Sequence, residues 1–184
     1  MYLIVGLGNP ESDYSNTRHN MGFDVINKIS NKHNIDVTKK KFKGLVGTGT
    51  INGNKVIILK PQTFMNLSGE SVIEVVNYYQ IQLDKIIVVY DDIDIEPGTI
   101  RIRKSGGPGT HNGMKSVIEK LKTEDFPRVR VGIGTPVDKS LIEYVLGAIP
   151  KEEKEKLEDG INKASEAVES IITENIDIAM NRFN

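Results

Sequence analysis

The sequence predicts an α/β fold, a single-domain three-layer sandwich in which a mixed, mostly parallel, twisted sheet is flanked by helices. Three observations carry this prediction. Short β-branched runs alternate with stretches of helical periodicity, the pattern of strands joined by crossover helices. One run, Ile86-Ile87-Val88-Val89, is apolar without interruption, as expected of a strand covered on both faces. Finally, Asn52-Gly53 separates the runs 46–51 and 55–59, and both residues tolerate positive φ, which is a hairpin signal and makes the sheet mixed.

The elements follow in chain order. Residues 3–7 read as a first strand. Residues 21–33 place Phe23, Ile26 and Ile29 at near-helical spacing, and the hairpin follows. Residues 68–79 read as a helix through Val72, Val75, Val76 and Tyr79, with Ser68 at its start. Strands are expected at 86–90 and 100–103. The glycine-rich loop 105–113 leads into a helix at 114–121, whose free backbone N–H groups could meet an anion. A strand at 129–133 follows. Residues 151–180 are rich in Lys and Glu and carry Ile161, Ala164, Ala167, Val168 and Ile171, which predicts an amphipathic helical pair punctuated by Pro150 and Gly160.

Composition narrows the function classes. A chain of 184 residues without a Pro- or Ser-rich linker fits one domain, residues 1–184. With no cysteine there are no disulfides, thiol nucleophiles or Cys-based metal sites, which suits a reducing cytoplasm. The N-terminus lacks a basic segment and meets Gly6 at once, so neither a signal peptide nor a membrane span is expected there. Net charge is −1, yet residues 99–130 hold Arg101, Arg103, Lys104, Lys115, Lys120, Lys122, Arg128 and Arg130 against Glu119, Glu124 and Asp125. That asymmetry reads either as a local polyanion contact or as solvated surface charge. Lys39, Lys40, Lys41 and Lys43 form a second cluster, taken as a solvated face, and His33 is expected to be exposed.

Several familiar chemistries fail on spacing. Gly6-x-Gly8 follows a strand, but Glu11 at the third glycine position would oppose a pyrophosphate. Met114 stands between Gly113 and Lys115, where a phosphate loop needs lysine directly after glycine. Ser68 lacks the Gly-x-Ser-x-Gly context of a hydrolase nucleophile. His19, His111 and Asp91 offer two imidazoles and a carboxylate to a metal without a supporting His-Glu-x-x-His spacing, so no metal and no cofactor are expected. What remains is a histidine and a carboxylate delivered to strand ends, enough for a general base that activates water. Asn9, Asn66 and Asn112 lie in turn-like segments at the same predicted edge, where open α/β sheets bind ligands.

Five segments carry a resemblance: Ile4-Val5-Gly6-Leu7-Gly8-Asn9-Pro10, Thr17-Arg18-His19-Asn20, Thr63-Phe64-Met65-Asn66-Leu67-Ser68-Gly69, Tyr90-Asp91-Asp92-Ile93-Asp94 and His111-Asn112-Gly113-Met114-Lys115-Ser116. In order and approximate spacing they resemble bacterial peptidyl-tRNA hydrolase, from residue 3 to at least Gly134. Thr110 departs from the pattern, since the family commonly has glycine before the histidine.

The resemblance implies hydrolysis of the ester joining an N-blocked peptide to the 3′ ribose of tRNA, by a cytoplasmic monomer. His19 would take a proton from the attacking water and Asp91 would orient and stabilise its imidazolium. By the same resemblance Asn9 monitors the blocked amino group, Asn66 and Asn112 hold the peptide and terminal adenosine, and Tyr14 and Phe64 supply stacking or apolar walls. Simple core packing is the other reading of Phe64. Met65 and His111 are further candidates. Arg101, Arg103, Lys104 and Arg130 are placed against the tRNA backbone, because phosphate contacts supply affinity without sequence information. Asp92 and Asp94 are left as structural loop carboxylates. The alternative function is a non-catalytic RNA-binding module, which would not require His19, Asp91 and Asn66 together.

Overall fold

Along the first strand, β1 (Tyr2–Gly6), successive side chains point to opposite faces of the sheet. Leu3 and Val5 enter one apolar layer and Ile4 the other, all fully buried. The computed structural model describes all 184 residues and extends this division to the whole molecule. The remaining strands are β2 (Lys39–Lys41), β3 (Gly44–Ile51), β4 (Asn54–Pro61), β5 (Ile86–Asp92), β6 (Ile100–Arg103) and β7 (Arg128–Gly132). They form a seven-stranded sheet in the order β2-β3-β4-β1-β5-β7-β6. The four central strands, β4-β1-β5-β7, are parallel, and both flanks are antiparallel. Mixed character and a parallel centre are as the sequence predicts.

Helices cover both faces. The layer around Ile4 is closed by α1 (Met21–His33), α5 (Lys154–Thr173) and α6 (Ile176–Phe183), and the layer around Leu3 and Val5 by α2 (Ser68–Tyr79) and α3 (Asn112–Leu121). A short helix, α4 (Leu141–Leu146), stands at the carboxyl edge of the sheet. At the hairpin, Asn52 (φ 48°) and Gly53 (φ 82°) both take positive φ, and Ile51 pairs with Asn54, the two-residue turn that Asn-Gly favours. No helix is long and apolar enough to cross a membrane.

Three sequence readings change and one is extended. Gly160 does not punctuate a helix pair; it is buried inside α5, where one glycine weakens a helix by only about 1 kcal/mol. The break comes at Glu174-Asn175, where the Asn175 side chain accepts from the Ile178 N–H and caps α6. Lys39–Lys41 is solvent-facing as expected and is also a strand, a short lysine-bearing edge of the kind that resists edge-to-edge pairing. His33 is not exposed: it is half-buried with Nε2 at 2.9 Å from Glu169 on α5. Arg128, counted among the basic residues, is buried, and its guanidinium lies 4.4 Å from the Phe126 ring centre. It donates to the carbonyl oxygens of Gly106 (2.6 Å), Glu124 (2.6 Å) and Phe126 (3.1 Å). One cation thus gathers three loop carbonyls and anchors the base of the glycine-rich loop.

Replacing Arg128 by methionine keeps the apolar stem and leaves those carbonyls without their donor. Stability should fall by roughly 3 kcal/mol, since each buried acceptor left unmade costs about 1–3 kcal/mol. A urea unfolding midpoint within error of the wild type would show that solvent replaces the guanidinium without loss.

Candidate active site

The site is assembled by anchored neighbours. Thr17, Arg18 and Asn20 are buried around the partly accessible His19. The Thr17 hydroxyl donates to the Tyr14 carbonyl at 2.7 Å. The Arg18 guanidinium stacks 3.9 Å from the Tyr144 ring centre, donates to the Tyr144 carbonyl at 3.1 Å and pairs with Glu153. Asn20 grips Asn9 by both backbone groups, its Oδ1 accepting from the Asn9 N–H at 2.8 Å and its Nδ2 donating to the Asn9 carbonyl at 2.9 Å. His19 therefore sits between two immobilised residues, and the same contacts fix Asn9 beside it.

Asp91, on β5, is the hub. It is 3 % exposed, with Oδ2 at 2.9 Å from His19 Nδ1 and Oδ1 at 2.9 Å from His111 Nε2. His111 caps α3, and its Nδ1 accepts from the Met114 N–H at 3.2 Å. A nitrogen that accepts carries no proton, so the His111 proton lies on Nε2 and points at Asp91. His19 donates from Nδ1, which leaves Nε2 as its uncommitted nitrogen. Burial alone would push the Asp91 carboxyl up, but the attraction of His19 and the hydrogen bonds of both imidazoles hold it well below the usual carboxylate range. For His19, burial disfavours the cation; the charge and hydrogen bond of Asp91 outweigh it and raise the imidazole above its ordinary 6.5.

One donor atom from each of these residues lies within 4.8 Å of the others, close enough to suggest a metal site. The contacts are instead hydrogen bonds between the donors, at 2.9 Å, and the second nitrogen of His111 is committed to Met114. The arrangement serves proton transfer better than coordination.

A cleft of about 710 Å³ opens over this cluster. Asn9 Oδ1 accepts from the Met65 N–H at 2.8 Å, which leaves the Asn9 amide donor for the cleft. Just before Met65, Phe64 takes φ 65° and ψ 158°, a backbone region essentially reserved for glycine and worth about 1–3 kcal/mol of strain. Its ring is 44 % exposed on the cleft, so core packing is not its role. Asn66 and Asn112 open neighbouring walls because α2 and α3 approach closely: a Cβ on Gly69 would lie 2.2 Å from the Ser116 carbonyl oxygen, and one on Gly113 2.5 Å from Met65 Sδ. Ser116 Oγ accepts from the Gly69 N–H at 2.9 Å and bolts the crossing.

The cleft brings together Asn9, Tyr14, His19, Phe64, Met65, Asn66, Asp91, His111, Asn112 and Arg130. Arg101, Arg103 and Lys104 do not line it. Arg101 and Arg103 face solvent from β6, with Arg101 directly opposite Arg130 on β7. Arg130 Nη1 is 3.1 Å from Asp92 Oδ2, and Lys104 pairs with Asp177 at 2.7 Å, so the basic stretch is less cationic than its composition. The apolar wall formed by Leu141, Ile142, Val145 and Leu146 of α4 was not anticipated. Its signal was present: Ser140, three residues before Glu143, is a capping box, and Ser140 Oγ accepts from the Glu143 N–H at 3.2 Å.

A model of the peptidyl-tRNA hydrolase family matches residues 3–184. The chain belongs to this family. A peptidyl-tRNA hydrolase of Clostridium botulinum (strain Alaska E43 / Type E3) is 57% identical over 184 residues, covering 100% of this chain and 96% of its own. That of Caldanaerobacter subterraneus subsp. tengcongensis is 54% identical with both chains covered in full. In three dimensions, the peptidyl-tRNA hydrolase of Acinetobacter baumannii superposes with a TM-score of 0.93 at 38% identity, over 99% of this chain and 93% of its own. In this peptidyl-tRNA hydrolase fold the His19–Asp91–His111 cluster lies at the carboxyl edge of the parallel strands.

The electrostatic coupling can be read directly. Asp91→Asn removes the charge that raises His19, so an NMR titration should show the His19 pKa falling; equal values in both proteins would refute the coupling. The sign for stability follows. The raised imidazole contributes stability that is complete below pH 6.5 and lost as the pH climbs through its folded value. The depressed carboxyl contributes stability held above its ordinary 3.8 and lost only as the pH falls through its folded value.

Proposed function

We propose that the cleft hydrolyses the ester between an N-blocked peptidyl group and the 3′ ribose of tRNA, with His19 as general base. The chain is an enzyme of the peptidyl-tRNA hydrolase family, a carboxylic ester hydrolase, and the carrying observation for the mechanism is the uncommitted Nε2 of His19 above a buried carboxylate. Water bound at that nitrogen gives it a proton while its oxygen attacks the ester carbonyl. Asp91 stabilises the imidazolium, and His111 holds the other carboxylate oxygen in place. When the tetrahedral intermediate collapses, the imidazolium returns the proton to the departing 3′ oxygen, so the ring ends neutral.

Around this centre we assign the remaining residues by chemistry. The Asn9 amide donor meets the carbonyl of a blocked amino group, and a free ammonium offers it no acceptor. Asn66 and Asn112 hold peptide and terminal adenosine with neutral donor and acceptor pairs. Phe64 and Tyr14 give faces to a base or an apolar side chain, and base stacking is worth roughly 1–3 kcal/mol. Arg101 and Arg103, unpaired on the β6 edge beside Arg130, take backbone phosphates. A pure RNA-binding module would have no use for a carboxylate buried between two imidazoles. We further propose that the enzyme acts in the cytoplasm, where translation makes its substrate, and as a monomer.

A release assay comparing N-acetyl-aminoacyl-tRNA with free aminoacyl-tRNA tests the reading. His19→Ala should lower turnover at least about 10²-fold with tRNA affinity unchanged, the lower range for a lost general base. Near-normal turnover in the folded variant would remove His19 from the mechanism. Separately, neutralising Arg101 and Arg103 together should weaken tRNA binding and reduce the slope of log K against log salt by something under about one per lost phosphate contact. A short ester substrate should be unaffected; equal loss on both substrates would place these arginines in the fold instead.

A further inference from the structure

The carboxyl edge of the sheet carries a second concavity that the proposed reaction leaves unused. It measures about 330 Å³, is walled by Asn20, Asp24, Asn27, Lys60 and Gln62, and shares Asn9 with the main cleft. That volume is within the range of ligand pockets, roughly 300–1,000 Å³. Its position follows from strand order. Arg130 stands on β7, Asp91 on β5, Asn9 just past β1, Lys60 at the end of β4, and Leu45 on β3 opposite Lys60. Strands β7, β5, β1, β4 and β3 are successive neighbours, so these residues stand in line along one edge.

That line orders the substrate. Phosphates at β6 and β7 and an ester carbonyl above β5 send the acyl chain toward β1, where Asn9 stands. Neighbouring strands are about 4.8 Å apart and an extended residue spans at most about 3.6 Å, so one residue carries the chain toward Asn9 and the next two bring it over β4. Resting on the proposed function, we infer that the second concavity is the subsite for the peptide beyond its first residue, recognised through its backbone amides. Side-chain amides suit that task, being neutral groups with both donor and acceptor, as a peptide backbone is.

The charged groups favour peptide over nucleotide. Lys60 is the only cation on the wall, and its Nζ already donates to Asn27 Oδ1 at 3.0 Å. Asp24 would repel a phosphate. Its carboxyl is drawn into no hydrogen bond in the fold; burial and the neighbouring Glu158 push it up to about 6 against the opposing pull of Lys60. A partly buried carboxyl without a partner gains from a backbone N–H when ionised and from a backbone carbonyl when protonated.

The test compares N-acetyl-aminoacyl-tRNA with N-acetyl-tripeptidyl-tRNA. The wild type should favour the longer substrate about tenfold in kcat/KM, as two net hydrogen bonds would give. In Asp24→Ala and Asn27→Ala that advantage should shrink to about threefold or less, with the one-residue substrate cleaved at the wild-type rate. Titrating wild-type protein with N-acetyl-trialanine amide should shift the NMR side-chain amide signals of Asn27 and Gln62. No length advantage in the wild type, a full advantage in either folded variant, or peptide shifts confined to the main cleft would each overturn the subsite. Loss of hydrolysis on every tRNA ester would strike the proposed function instead, and the peptide titration would still decide the subsite.

Discussion

The structure turns on the burial of one carboxylate. Placing Asp91 at the end of β5 with 3 % exposure would be unfavourable for an isolated charge, which would protonate rather than stay ionised. Two imidazoles prevent this, one on each oxygen. Each imidazole must then be oriented, and the surrounding fold supplies the restraints: Arg18 and Asn20 hold the segment bearing His19, and the Met114 N–H sets the tautomer of His111. The motif residues that flank His19 thereby acquire a purpose. They do no chemistry, yet the geometry of the charge cluster depends on them.

A second constraint is topological. Four parallel strands end at one edge, so loops far apart in sequence, after β1, β4, β5 and β7, converge without any of them being long. Gly69 and Gly113 let α2 and α3 cross closely enough to bring their first turns to the same cleft. The outcome is a gradient along the edge, with Arg101 and Arg130 at the β6–β7 end, the imidazole–carboxylate cluster in the middle, and amides toward β4.

Much of this was legible in the residues. The strands were marked by β-branched runs and the hairpin by Asn52-Gly53, because both signals arise from local backbone preference. His19 stood out through its setting in a polar loop after an apolar strand, and Asp91 as a carboxylate ending another apolar strand. Other features depend on contacts across the fold. Nothing in the local sequence distinguishes Arg128, buried under three carbonyls, from exposed Arg101 on the edge strand β6. Gly160 has the helix-breaking identity, but tertiary packing of the α5 face overrides its weak propensity. The lock between Asn20 and the backbone of Asn9 joins residues 11 apart and has no periodic signature. The α4 capping box, Ser140 followed three residues later by Glu143, was legible in the same way but marks a helix of only six residues, too short for a clear periodic pattern.

The backbone of Phe64 carries one further implication. A glycine would relax that peptide, so the residue best for folding and the residue present there are different. Such local conflict is tolerated where the surroundings impose it, and here the Met65–Leu67 turn, tied down by Asn9 and Ser68, imposes it from the C-terminal side. The main chain consequently fixes the direction in which the Phe64 side chain leaves its Cα, beside the cleft that it lines. The turn itself is ordered before any substrate arrives, which spares the entropy that a loose backbone would lose on engagement.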